Sequence, residues 1–588
     1  ITMGANAILL SNVSTLTLSN PITMSGAATI NAPNAYTLTL SGILSGASGA
    51  LTINSPTTNT GTVILTGANT YGSTTTLSAG TLQIGSGGTT GALGAGSVTN
   101  NGSLIFNRSN DFTVATYSSG TGSVTKLGAG VLTFTHANRH SGGTTVDAGT
   151  LVLQDAGGDG NGWLDGTLTV NANGTVQLKG NSTAFGYSTY RVKTLNINGG
   201  LVDAVTTQHI WDATLNFSGG GTFRSNGGVS DSAATVFWEW GKVTVNVTDA
   251  SAAAEIGGRI RMRMDMAAST YTVADGAAAN DLLISAAMTE YAGAGTFTKA
   301  GLGTMTLSGA SNYTGAVTVN AGTLAVTNAT GLGTIAGGVT IASGATLDLQ
   351  NVTVGAEAIT LNGGTIATST GTSSLSGAVS LAAANSSLSV AGTQLTLSGI
   401  ISGTVSTYGF TKSGAGNAIL TNTNTYSGAT TISAGTLTFQ NNSPNLAASS
   451  FIGPGTLVVE PSSTSFASNY TFDETLSSST KLGGLTLGKS GNAVNITSSV
   501  VVSVNGPIAI YGANIAINAA MTATGGNLML VSGGAVSQTA AITATGLVLR
   551  GAGSVTLNNT SNSIGTIASA SSIGALSLIN TGNLAIGS

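Results

Sequence analysis

At 588 residues the chain is long enough for several cores, yet only 6% of its side chains are Asp, Glu, Lys or Arg and its net charge is −4. That balance excludes the basic footprint of an electrostatic nucleic-acid binder, and the absence of cysteine excludes disulfides and thiolate metal sites. A helix needs ~20 consecutive apolar residues to cross a bilayer, whereas apolar runs here are broken after a few residues by Thr, Ser, Asn or Gly.

The polar surface is instead built from Ser, Thr, Asn and many of the 86 glycines, with only 7 prolines and no collagen-like period. Abundant Thr, Val and Ile favour strand over helix. A hydrophobic content of 41% is too high for a disordered chain. The start, Ile1-Thr2-Met3-Gly4, has no basic segment before an apolar one, and the end, Ala585-Ile586-Gly587-Ser588, stops mid-pattern. The expectation is a mature or trimmed piece of something larger.

In chain order, residues 1–107 hold no charged side chain. Short alternating segments begin there and are read as strands. Val63-Ile64-Leu65-Thr66-Gly67-Ala68-Asn69-Thr70-Tyr71 opens a phrase that closes on Ser78-Ala79-Gly80-Thr81-Leu82. The closing phrase returns as Asp147-Ala148-Gly149-Thr150-Leu151, Asn320-Ala321-Gly322-Thr323-Leu324 and Ser433-Ala434-Gly435-Thr436-Leu437. Three copies carry a leader, Thr125-Lys126, Thr298-Lys299 and Thr411-Lys412. Gly80, Gly149, Gly322 and Gly435 sit between two strands, where a sharp corner calls for φ > 0. The Thr-Leu-x-Val/Ile that follows alternates, so one face is buried.

Residues 191–290 hold 17 of the 36 charged side chains, and three of the four tryptophans, Trp211, Trp238 and Trp240. Prolines are absent from 57 to 443 and then cluster at Pro444, Pro454 and Pro461, which marks a change of module. The expected division is 1–60, N-terminal rungs; 61–155, repeats; 156–296, a divergent charged module; 297–445, repeats; and 446–588, C-terminal rungs.

Many short strands joined by tight turns fit a sandwich, a barrel or a solenoid. The unbroken pattern, the small aliphatic residues and the recurrent Asn and Thr at turns favour a right-handed parallel β-helix, a single elongated rod. Rungs of about 20 residues stacked about 4.8 Å apart would number some 25–30.

The phrase T-K-x-G-x-G-x-x-x-L-T followed by N-x-Y-x-G-x-T-T-x-x-A-G-T-L resembles the autotransporter-associated β-strand repeat. Gly128, Gly130, Gly142, Thr144, Thr145, Ala148, Gly149 and Leu151 carry the match. The copy near Gly61 lacks the lysine leader, and the second has His140 where Tyr is usual. Gly85 to Asn110 resembles the spacer between such repeats. From about Phe451 onward, Ser537-Gln538-Thr539-Ala540-Ala541-Ile542-Thr543-Ala544 and Leu557-Asn558-Asn559-Thr560 resemble filamentous-haemagglutinin-like exoproteins. These resemblances imply architecture and secretion type, not a bound partner.

Chemistry-bearing residues are few. Arg259-Ile260-Arg261-Met262-Arg263-Met264-Asp265-Met266 alternates, so Arg259, Arg261 and Arg263 share one face. That face is either a solvated one or a contact for an anionic polysaccharide or partner, since guanidinium suits planar anions. Trp238 and Trp240 face outward, toward a sugar ring or partner, if the register to Val243 is unbroken. A reset at Gly241 buries them instead. Asp155, Asp159, Asn161 and Asp165 loosely resemble calcium-ligand spacing, but read better as a polar turn. His136, His140 and His209 lack the spacing of a metal or triad motif. No cofactor is implied.

The expected function is a non-catalytic extracellular bacterial adhesin or structural rod, with a role in adhesion or biofilm. Its partners would be a surface glycan, a host or matrix receptor, or further copies end to end. A self-assembling filament is the alternative. A polysaccharide-processing β-helix enzyme is a weaker one, because carboxylates are sparse outside 147–290.

Overall fold

Alternating Thr-Leu-Thr-Leu segments can bury only one face, and a short strand gains that burial by stacking on its own copy in the next rung. This is what the chain does throughout. In the computed structural model, the described residues are 1–588 without 48, 56, 155–159, 181–182, 250, 264–267, 445, 447–449, 572 and 588. The fold is an all-β parallel solenoid in each of two units, Ile1–Gly315 and Ala316–Ser588. Among the described residues the helical content is a single 3-10 turn, Asn226–Gly228, and no helix is long and apolar enough to cross a membrane.

Register shows the rungs directly. In the first unit Leu16 pairs with Leu38, then Val63, Leu82, Leu104 and Val124, one residue per rung and all parallel. From Leu38 to Val124 these side chains are at most 2% exposed. The neighbouring outward column is hydroxylic: Thr15, Thr37, Thr62, Thr81, Ser103 and Ser123. In the second unit an inward column runs through Leu395, Ala418, Leu437, Leu457, Leu485, Ile508, Leu528 and Leu547. Each fully buried Leu or Ile contributes about 1.5–3 kcal/mol, so no single rung is stable without its neighbours.

The Leu and Val/Ile of the Thr-Leu strands face this core: Leu82, Ile84, Leu151, Leu153, Leu324, Val326 and Leu437 are all fully buried. Asparagine ladders also form. Asn216 Nδ2 donates to Asn196 Oδ1 at 2.9 Å, and Asn246 Nδ2 donates to Asn216 Oδ1 at 3.0 Å. Residues 191–290 keep the same parallel pairing as the repeats around them.

Candidate functional site

The repeat corner explains why its phrase recurs. Gly80, Gly149, Gly322 and Gly435 lie at φ 64°, 68°, 64° and 64°. A Cβ on Gly149 would stand 2.6 Å from the carbonyl oxygens of Gly128 and Gly130 in the rung below. The recurring tyrosines are core residues: Tyr71, Tyr313 and Tyr426 are wholly buried. The Tyr71 hydroxyl pairs with Thr75 Oγ1 at 2.9 Å and that of Tyr426 with Thr430 Oγ1 at 3.0 Å. The Asn two residues earlier caps the rung below: Asn69 Oδ1 accepts the Leu44 N–H and Asn424 Oδ1 the Ile401 N–H. His140, standing where Tyr is usual, is buried against Ser118 Oγ at 3.0 Å. Burial pulls its imidazole down to about 4, so it is neutral near pH 7.

The leader lysines occupy inward, aliphatic positions. Lys126 follows Phe106 in the column that continues to Val146, and Lys412 lies between Leu388 and Ile432. Lys412 Nζ donates to the carbonyls of Gly414 at 2.7 Å and Ala434 at 3.0 Å, tying two successive corners together. Lys126 does the same to Gly128 and Ala148. Lys299 donates to Ala300 and Gly301. The first copy has no lysine, and there Asn54 supplies the donor. Its Nδ2 reaches the carbonyls of Gly61 at 2.8 Å and Ala79 at 3.2 Å from just past the strand Leu51–Ile53, one residue beyond the position that the leader lysine takes in the other copies. Burial draws all three lysines down to about 8.

The charged module builds a different surface. Four strands, Gln208–Trp211, Trp238–Gly241, Arg259–Arg263 and Ala287–Ala292, stack in parallel. Gln208, Trp238, Ile260 and Met288 form one inward column, and Ile210, Trp240 and Met262 another. Trp238 and Trp240 are therefore core residues, 0% and 1% exposed, and the expectation that they contact a partner is corrected. Val243, Val245 and Val247 are also inward, because the backbone turns through Lys242 at φ 50° and resets the alternation. Phe223 stacks on Trp238 at 4.3 Å, and the indole N–H groups donate to the Arg224 carbonyl and Ser269 Oγ.

Outward, His209, Glu239, Arg261 and Thr289 share a column. Glu239 is covered, with its side chain 5% exposed, and accepts from Arg261 Nη2 and from Arg263 Nη1 at 3.0 Å; His209 Nε2 lies 3.4 Å away. Arg259 donates to the Ala234 carbonyl and to Thr289 Oγ1. Around this clamp the rings and guanidinium groups alternate. Tyr187 lies 5.8 Å from Trp211, and the Arg263 guanidinium sits over both Trp211 at 4.9 Å and Tyr291 at 5.2 Å. Arg261 sits over Tyr291 at 4.4 Å and Phe237 at 4.1 Å, and Arg259 over Phe237 at 5.0 Å. Tyr187 and Tyr291 are 42% and 59% exposed.

Burial works to raise the Glu239 carboxyl, but bonds from His209, Arg261 and Arg263 outweigh it and hold it at about 2. Because the folded value lies below the unfolded one, this clamp stabilises the module fully above pH ~4.5 and is lost as pH falls through about 2. The near-UV circular dichroism of the buried tryptophans should therefore fade between pH 4 and 2. Glu239→Gln should abolish that acid step, and an unchanged step in the variant would place its origin elsewhere.

Sequence reasoning put Arg259, Arg261 and Arg263 on one face, and they are, each partly exposed. It did not single out Glu239, His209, Phe237, Tyr187, Tyr291 or Trp211 as the outward aromatic. The alternation Gln208-His209-Ile210-Trp211 carries that signal once Ile210 is taken as inward. Met264, Asp265 and Met266 lie outside the described residues, as do Asp155 and Asp159 of the acidic loop. Of that loop, Asn161 Oδ1 accepts the Tyr190 N–H and Asp165 pairs with Lys193 at 3.4 Å.

The segments bearing the corner glycines, 58–84, 124–153, 297–326 and 410–439, match the family model of the passenger-associated-transport-repeat. The chain carries four passenger-associated-transport repeats. A curated relative, the adhesin BmaC autotransporter of Brucella suis biovar 1 (strain 1330), is 40% identical over 111 residues. That match covers 19% of this chain and only 3% of the adhesin's length. No solved structure matches the chain. Each matched segment contains its corner glycine, and three of the four contain the buried leader lysine.

Proposed function

We propose that this chain is a stretch of an autotransporter-type passenger, exported and displayed at a bacterial cell surface, where it acts as a non-catalytic adhesive scaffold. The carrying observation is the set of four passenger-associated-transport repeats, supported by the stretch of likeness to an autotransporter adhesin. The physical logic agrees. A near-neutral surface of Thr, Ser and Asn over a stacked aliphatic core needs no disulfide and no cofactor to fold outside the cell. The repeats offer a uniform hydroxylic face, so a specific contact belongs on the outward face of the charged module, with Arg259, Arg261 and Arg263 among its residues.

The test is made on intact cells expressing the full protein. Antibodies to residues 1–315 should label them, and external protease should remove the label without lysis. Cells carrying the protein should adhere to a surface that cells lacking it do not. Labelling that appears only after lysis would overturn the reading.

A further inference from the structure

We infer that a cavity just beyond the last repeat binds an amino sugar, its ammonium at Asp473 and Glu474 and its ring against Phe466 and Tyr470. The site lies outside the four repeats and the charged module, and it does not rest on the surface-display reading. The turn after strand Thr436–Gln440 forms one wall, and the segment around strand Tyr470–Phe472 the other. Bonds between rungs fix both walls. Asn442 Oδ1 accepts from Ser462 Oγ and from the Ser463 N–H and Oγ, each at 3.0 Å, and the Ala467 N–H donates to the Asn442 main-chain carbonyl at 2.8 Å. The Tyr470 N–H donates to the Asn495 carbonyl at 2.9 Å. The cavity measures about 300 Å³, room for a small organic ligand.

Three residues of its lining carry unpartnered polar groups. Among the described residues, the Asp473 and Glu474 carboxylates take part in no hydrogen bond or ion pair, and the Tyr470 hydroxyl in no hydrogen bond. Tyr470 is 9% exposed, and a buried hydroxyl left unbonded costs stability. Burial, then the charges of Glu474 and Asp473, push its phenol up, so both carboxylates lie close by. Burial, then Asp473, raise the Glu474 carboxyl to about 7, and an arriving cation supplies the counter-charge that lets it ionise. A cation that also donates hydrogen bonds satisfies all three groups. A metal ion fits poorly. Calcium takes roughly six to eight oxygens, and no cluster of three His, Cys, Asp or Glu side chains suited to a metal occurs among the described residues. The Phe466 and Tyr470 rings, 5.0 Å apart, instead offer an apolar wall to the C–H face of a sugar and π-faces that attract an ammonium. The Oδ1 atoms of Asn442 and Asn469 accept bonds within the fold, which leaves their NH2 groups to donate to sugar hydroxyls. A lysine ammonium would satisfy the carboxylates but not these amides.

The purified 588-residue chain is titrated at about pH 6, where an amine is protonated, with a short glucosamine oligosaccharide, its fully N-acetylated form, a lysine-containing peptide and calcium chloride. Binding of the glucosamine oligosaccharide alone is expected. Glu474→Gln and Tyr470→Phe should each weaken it at least about tenfold. The first removes a half-buried, unpaired carboxyl and the second a buried, unbonded hydroxyl, so each variant should melt no lower than the wild type. Lost binding with undiminished melting separates a ligand contact from a structural role. Equal binding of the N-acetylated form or of the lysine peptide, calcium that displaces the sugar, no binding of any probe, or full binding by the folded Glu474→Gln variant would each overturn the inference. Intact-cell labelling is independent of these outcomes, so the surface-display reading stands or falls separately.

Discussion

Gly149→Val is expected to open the solenoid locally while leaving distant rungs closed. Gly149 lies at φ 68°, a conformation that a β-branched residue adopts only under strain. Its added Cβ would also meet the carbonyl oxygens of Gly128, Gly130 and Ala129 at 2.6–2.7 Å, and these are backbone atoms that cannot rotate away. Strain and overpacking together should destabilise the corner by about 3–5 kcal/mol. Each rung touches only its neighbours, so hydrogen exchange should accelerate around Val131–Phe134, Thr144–Gln154 and Gly166–Lys179. Protection at Leu51–Ile53 should persist. A uniform loss along the whole first unit would contradict nearest-neighbour coupling.

Lys412→Met should destabilise its rungs by about 2–4 kcal/mol, since the thioether keeps the aliphatic stem but leaves the carbonyls of Gly414 and Ala434 buried without their donor. The same residue sets a pH dependence. Burial holds the folded ammonium at about 8, below its unfolded value of 10.5, so the unfolded chain binds this proton more tightly. Its contribution is greatest above pH 10.5 and falls away as pH drops through 8. Thermal melts of the wild type should gain stability between pH 8 and 10 relative to the Met variant. A Met variant as stable as the wild type at pH 7 would mean that desolvating the ammonium cancels what its bonds contribute.

The corner motif shows how far reading the chain could go. The Ala-Gly-Thr-Leu phrase announces a tight corner followed by a one-sided strand, because only glycine takes φ > 0 freely and only alternation buries one face. The lysine leader was visible as a recurrence, yet a lysine by itself signals solvent. Only the stacked column reveals that Lys126 and Lys412 stand at inward positions, and only the fold brings Asn54, just past the strand Leu51–Ile53, to the corner carbonyls of the first copy.

The charged module divides in the same way. Local alternation alone placed Arg259, Arg261 and Arg263 on a common face, because the two-residue period of a strand is a property of the backbone. The orientation of Trp238 and Trp240 depended on one turn, where the positive φ of Lys242 shifts the alternation by a residue and exchanges inside for outside. Composition and repeat pattern thus determined a parallel solenoid with glycine corners. The partners of Glu239, and the meeting of Trp211 and Tyr291 about Arg263, were decided only by stacking residues some 20–30 positions apart, a distance over which no local pattern carries register.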